Sequence, residues 1–263
     1  MTVEPLQPLS IILISLAAAI GGAINAIAGG GTLVTFPAIV ALGIPPLIAN
    51  ATSTVALWPG SVSSMWGYRD ELQGARRWIV LFTLPSLAGG GLGAWLLLHT
   101  SARQFSDLVP YLVLGATVLF LFQVQLKRRF GLSSPGDQGS ELENRVSPRL
   151  SFLIAQFAVG VYGGYFGAGI GILMLAVLGF MRFTNIHTMN GLKNWGGLCM
   201  NAVAAVMFAF SGIVNWPVAG AMVVGGLIGG YGGSRMAQRV GQEPVRRAIP
   251  VIGLASFIYL VLR

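Results

Sequence analysis

IAGGGTLVTFPAIVALGIPPLIANATS, residues 27–53, carries no charge, yet it holds a glycine triplet and three prolines. The stretch is apolar enough for a bilayer and too interrupted for one continuous spanning helix. Pro37, Pro45 and Pro46 each lack a backbone donor. Backbone that leaves helical geometry at membrane depth must be buried in protein or line a cavity, because lipid cannot satisfy its N–H and C=O groups. In a membrane protein, such a segment marks the interior rather than the wall.

Composition places the chain in a membrane. Of 263 residues, 54% are hydrophobic and 9% charged, with a mean hydropathy of +0.75; soluble domains carry about 25% charged residues. Uncharged runs at 9–28, 78–98, 109–126, 150–168 and 194–234 meet the need for about 20 apolar residues per crossing. The expected fold class is an all-α polytopic membrane protein. The 37 glycines suit close helix approach in lipid. One cysteine, Cys199, rules out an intramolecular disulfide. MTVEPLQPLS lacks the positive n-region of a signal peptide, so 9–28 reads as a retained span.

The chain repeats itself at an offset of 140. Gly29, Gly31, Leu33 and Asn50 map to Gly169, Gly171, Leu173 and Asn190, and Gly89, Gly90, Gly93 and Pro110 to Gly229, Gly230, Gly233 and Pro250. The expected organisation is a first repeat over 1–126, a hydrophilic cytoplasmic linker at 127–149 and a second repeat over 150–263. Each repeat is read as three long transmembrane helices plus two short, broken or re-entrant ones (32–43 and 50–66; 172–181 and 190–210). The parity of such a unit turns the second copy over, giving inverted topology. Thirteen of the 16 Lys and Arg then share the face of loops 68–77, 127–149, 180–187 and 235–247. That bias assigns the face to the cytoplasm, puts the chain in the inner (cytoplasmic) membrane and leaves both termini outside.

The breaks suggest binding chemistry. Asn50, with Thr52 and Ser53 close behind, reads as an N-cap; Asn190 stands in the same place in the second copy, followed by Lys193 and Asn194. Helix N-termini near the midplane would each present about half a positive charge, an anion site doubled by the repeat. Lys193 inside the membrane calls for an anion or a polar cavity. Gly29, Gly30 and Gly31, with Gly169 and Gly171, would let backbone approach the ligand, flanked by Asn25 and Tyr165. All eight acids lie at the terminus or in loops, so coupling through a buried carboxylate is not expected. Two distant histidines and one cysteine make no metal cluster, and no nucleophile–base pair suggests catalysis. No cofactor and no nucleic-acid partner is expected; the partners are a small anion and the lipid bilayer, with a homodimer left open. Plainer readings stand beside these. The glycines serve tight crossing, the asparagines cap helices, Lys193 reaches an interface, His187 is structural, and Trp58, Trp66, Trp78 and Trp216 anchor at the membrane surface.

GAINAIAGGGTLVTFPAIVALGIPPLIANATS with the Tyr-Arg of WGYRDEL resembles the first signature of the sulfite exporter TauE/SafE family. GGYFGAGIGILMLAVLGF, MNGLKNWGGLCMNAVAAVMFAFSGIVNWP and GGLIGGYGGSRMAQRV are similar to its second copy. The resemblance implies a cytoplasmic-membrane permease for small sulfur-containing anions such as sulfite or organosulfonates, working outward. Other small solutes, such as a carboxylate or a thiol compound, remain the alternative cargo, and a membrane enzyme or scaffold the remoter one.

Overall fold

A computed structural model describes residues 8–73, 75–129, 150–180, 186–240 and 243–262. They form ten α-helices: α1 Pro8–Ala28, α2 Thr32–Ala41, α3 Pro46–Gly67, α4 Arg76–Leu98, α5 Ala102–Arg129, α6 Leu150–Tyr165, α7 Ile170–Phe180, α8 Ile186–Ser211, α9 Trp216–Val240 and α10 Glu243–Leu262. One 3-10 turn, Arg69–Leu72, joins α3 to α4. Among the described residues, Pro8–Ala28, Arg76–Leu98, Ala102–Phe122 and Thr188–Ser211 are long and apolar enough to cross a bilayer. Leu9, Leu84, Tyr111 and Phe210 are 64–88% exposed while Lys193, Asn50 and Gln156 are buried. An apolar wall around a polar interior is the inside-out pattern lipid demands, and the chain is a multi-pass membrane protein. The linker at 130–149, Arg182 and the His187 side chain lie outside the described residues.

Local chemistry sets the ends. Ser101 and Gln104 form a reciprocal capping box, Gln104 N donating to Ser101 Oγ and Ser101 N to Gln104 Oε1. That box starts α5 seven residues before the uncharged run at 109–126. Asn215 Oδ1 accepts from Val218 N and caps α9. Of the two short segments expected in each half, only the first is short: α2 has 10 residues and α7 has 11, whereas α3 has 22 and α8 has 26. Pro46 sits at the first helical position of α3, where its missing N–H costs nothing. The helix therefore begins before Asn50, which is not its N-cap.

Contacts between helices fix their directions. Asn215 N donates to Thr52 Oγ1 at the start of α3 and α9, and Gln238 Nε2 to Gly67 O at their ends, so these two are parallel. Gly22 abuts Gly226 and Gly233 abuts Ala23, making α1 parallel to α9. Gly89 abuts Gly160 and Gly93 abuts Tyr165, making α4 parallel to α6. Trp195 Nε1 donates to Thr83 Oγ1 and Gly90 abuts Met200, so α8 runs with α4. Ser64 meets Asn194 while Thr54 and Asn201 line one cavity, so α3 and α8 oppose each other. Thus α1, α3 and α9 run one way and α4, α6 and α8 the other. Positions related by the 140-residue offset (α1 and α6, α3 and α8, α4 and α9) are occupied by helices of opposite direction.

The packing partners exchange in the same manner: α1 lies on α9 as α6 lies on α4, and α3 on α9 as α8 on α4. Glycine makes both tight seams. A methyl group on Gly229 would stand 2.8 Å from Ala19 Cα, and one on Gly89 2.9 Å from Gly160 Cα. Gly229→Ala should lower the thermal midpoint in detergent by about 5 °C, from an overpacking cost of about 2 kcal/mol. Gly220→Ala, with nothing within 4 Å, should leave it unchanged or raise it slightly. A thermal-shift comparison of the two reads the difference.

Candidate functional site

The interior is organised by two helix ends. Gly29 at φ 76° and Gly169 at φ 78°, 140 residues apart, turn the chain left-handed. A helix leaves its last carbonyls without partners, and the α1 end can be accounted for almost group by group. Gly29 N donates to Ile24 O and Asn25 O. Lys193 Nζ donates to Ala26 O at 3.0 Å and Ile27 O at 3.1 Å, and Asn194 Nδ2 to Ala26 O at 3.2 Å. Asn194 Oδ1 accepts from Ser64 Oγ. The full charge of Lys193 thus sits on the negative end of the α1 dipole.

The α6 end is held by the other half. Asn50 Nδ2 donates to Tyr165 O at 2.9 Å, and Tyr162 Oη to Ala168 O at 2.7 Å. Each of these helix ends is therefore secured by a side chain from the other half of the chain: α8 on α1, α3 on α6. The Oδ1 atoms of Asn50 and Asn190 are both buried without a hydrogen-bond partner. Thr35 and Ser53 bond each other at 2.7 Å, and Tyr165 Oη lies 3.3 Å from Thr100 Oγ1.

Between α3 and α8 lie two small adjoining cavities that share Asn25, Ser61 and Ile170. The larger is lined further by Thr32, Thr54, Leu57, Trp58, Phe166, Gly167 and Asn201. The smaller adds Gly29, Gly171, Met174, Lys193, Asn194 and Gly197. Thr54, Leu57 and Ser61 on α3 and Asn194, Gly197 and Asn201 on α8, which line the cavities, lie 140 residues apart in sequence. Trp58 has Leu198 at that offset. Its indole Nε1 is buried with no hydrogen-bond partner, an unmet donor on the cavity wall.

Of the residues singled out from the sequence, Asn25, Gly29, Gly171, Lys193 and Asn194 meet at these cavities. Asn50, Thr52, Ser53, Gly30, Gly31, Asn190, Gly169 and Tyr165 do not line them. Gly30 packs under the Phe120 ring and Gly31 against Gly21 and Asn25, while Asn50 and Thr52 hold the α6 end and Asn215. The buried helix N-termini at the cavities are those of α2 and α7, through Thr32 and Ile170, rather than those of α3 and α8. Trp58 lines the cavity and Trp78 is buried, so neither is a surface anchor. Thr54, Trp58, Ser61 and Asn201 were missed. Their signal was available as polar positions spaced for one helix face, Asn50-Thr54-Ser61 and Asn190-Asn194-Asn201.

The comparisons with known proteins agree on one family. A profile of the family "Sulfite exporter TauE/SafE" matches residues 14–260. A "Probable membrane transporter protein" of Haemophilus influenzae is 29% identical over 89% of this chain and 87% of its own length. "Probable membrane transporter protein ORF9" of Sinorhizobium sp is 32% identical over 93% of this chain and 90% of its own. "Probable membrane transporter protein YfcA" of Escherichia coli K12 is 29% identical over 94% and 87%. No solved structure matches. With a match running through both breaks and both seams, the chain belongs to the sulfite exporter TauE/SafE family of membrane transporters.

Proposed function

We propose that the protein is a secondary transporter, or facilitator, that moves a small sulfur-containing anion such as sulfite or an organosulfonate outward across the cytoplasmic membrane, without a covalent step. The observation that carries the reading is the paired cavity between α3 and α8. Its described lining offers Asn25, Thr32, Thr54, Ser61, Asn201, the Trp58 indole N–H and Lys193, and contains no carboxylate. The positive ends of α2 and α7 abut it, the arrangement that suits an anion. Opposite helix directions at corresponding positions support two inverted repeats, 1–126 and 150–263, that rock about this site to expose it alternately. Arg69, Arg235 and Arg239 gather at one end of the bundle, through the Gly67–Gln238 bond, and Arg103 lies at the other. That asymmetry supports a cytoplasmic linker and both termini outside.

Purified protein in proteoliposomes should move sulfite or a short sulfonate well above a carboxylate of equal size. Equal flux of the carboxylate would replace the proposed cargo, and no flux of any would remove the transport reading. Trp58→Phe keeps the ring and deletes the unmet donor. It should raise the half-saturating anion concentration about tenfold, the worth of one hydrogen bond to a charged group, with maximal flux nearly kept. An unchanged saturation curve would take Trp58 out of the site.

A further inference from the structure

We propose that the cationic end of the α3–α9 seam is a binding site for the headgroup of an anionic phospholipid. The seam joins the two copies of the repeat on the outer wall of the bundle. Arg69, just past the end of α3, holds its guanidinium 5.0 Å from the centre of the Trp66 ring and donates to Trp66 O at 3.1 Å. Arg235, on α9, lies 5.5 Å from the centre of the Tyr231 ring. The two helices touch between these pairs: Gly67 abuts Ser234, and Gln238 Nε2 donates to Gly67 O at 2.9 Å. Both arginines thus stand at one level, two or fewer residues from the contact point.

The rings that carry them face outward. Trp66 is 65% and Tyr231 43% exposed, and Val62 and Ile228 continue the same surface toward the membrane interior at 44% and 67%. An aromatic ring at the membrane surface sits at headgroup level, and a guanidinium over its face is held there by the ring quadrupole. Arg presents five N–H donors in a planar fork suited to phosphate oxygens. Asp70 is the acid in reach, 3.7 Å from Arg69 with both side chains about half exposed, a solvent-screened pair that leaves the patch cationic. Two arginines from two copies above an apolar strip fit a phosphodiester with acyl chains below it, and one lipid would bridge the seam.

The test is thermal stability of the purified full chain in neutral detergent, which does not depend on what the protein carries. Phosphatidylglycerol should raise the midpoint by about 5 °C through mass action, and phosphatidylcholine should not. The double variant Arg69→Gln/Arg235→Gln should lose most of that shift. Arg76→Gln/Arg77→Gln, with the same charge change at the start of α4, should keep it. If the first double variant does not fold, each single variant should lose part of the shift. A full phosphatidylglycerol shift in the variants lacking Arg69 and Arg235, an equal loss in the Arg76/Arg77 variant, or an equal shift from soluble glycerol phosphate would overturn the site.

Discussion

Lys193→Met should bring anion flux to background while the protein still inserts. Lys193 is 1% exposed, and two of its ammonium donors go to Ala26 O and Ile27 O. Methionine fills the same length but leaves Ile27 O without that partner and Ala26 O with Asn194 alone. Each buried carbonyl stripped of a partner costs about 1–3 kcal/mol, and the negative end of the α1 dipole loses its counter-charge. Together these predict a midpoint lowered by about 5–10 °C. Flux should suffer more than stability, because Gly29, at the end of that helix, lines the smaller cavity with Lys193. Lys193→Gln separates the two roles. It keeps an N–H for the carbonyls and removes the charge, so flux at background with near-normal stability would mean that the charge acts on the anion. Restored flux in Lys193→Gln would leave only the clamp, and normal flux in Lys193→Met would dismiss both. The measurement is proteoliposome uptake normalised to incorporated protein, with a melting curve for each variant.

A large loss of stability from a single methyl group should come from Gly171→Ala. A Cβ there would stand 2.5 Å from Ala28 O and 2.7 Å from Gly29 Cα. Both are backbone atoms of the other break, so no side chain can swing aside. The two interrupted segments cross backbone to backbone at this point, and separating them would open the cavity wall and pull α1 off Lys193. The variant should fail to accumulate, or should melt at least about 10 °C lower, the upper part of the overpacking range. Gly43→Ala is the informative contrast. It forces a side chain into φ 84° but meets nothing within 4 Å, so it should cost only the backbone strain of about 1–2 kcal/mol. If Gly171→Ala melts with Gly43→Ala or above it, the close crossing is not what holds the centre together.

The legible part of the fold was the part written in local terms. Ten apolar segments, their order and the breaks at Gly29 and Gly169 follow from hydropathy and from glycine and proline, which act within a few residues. Asn50 shows where that reasoning stopped. Asn-Ala-Thr-Ser reads as an N-cap, yet Pro45 and Pro46 upstream start α3 and carry Asn50 into its second turn. There its amide holds Tyr165 O, 115 residues away. Lys193 stands out in the sequence by its charge, but its carbonyl partners, Ala26 and Ile27, lie more than 160 residues away. Trp58 was read as an anchor because indole favours interfaces in general; only packing reveals that this one faces a cavity.

Sequence by itself determined that the chain lives in lipid and where its helices must break. Those properties depend on residue type and on spacing along the chain, and both are fully written in it. Tertiary structure alone decided which polar groups share a chamber and which are consumed in holding helix ends. In lipid a helix end needs protein partners for its last carbonyls, and here those of α1 and α6 find them more than a hundred residues away. No local rule assigns such pairs; they exist only once α3 and α8 lie against the ends of α6 and α1.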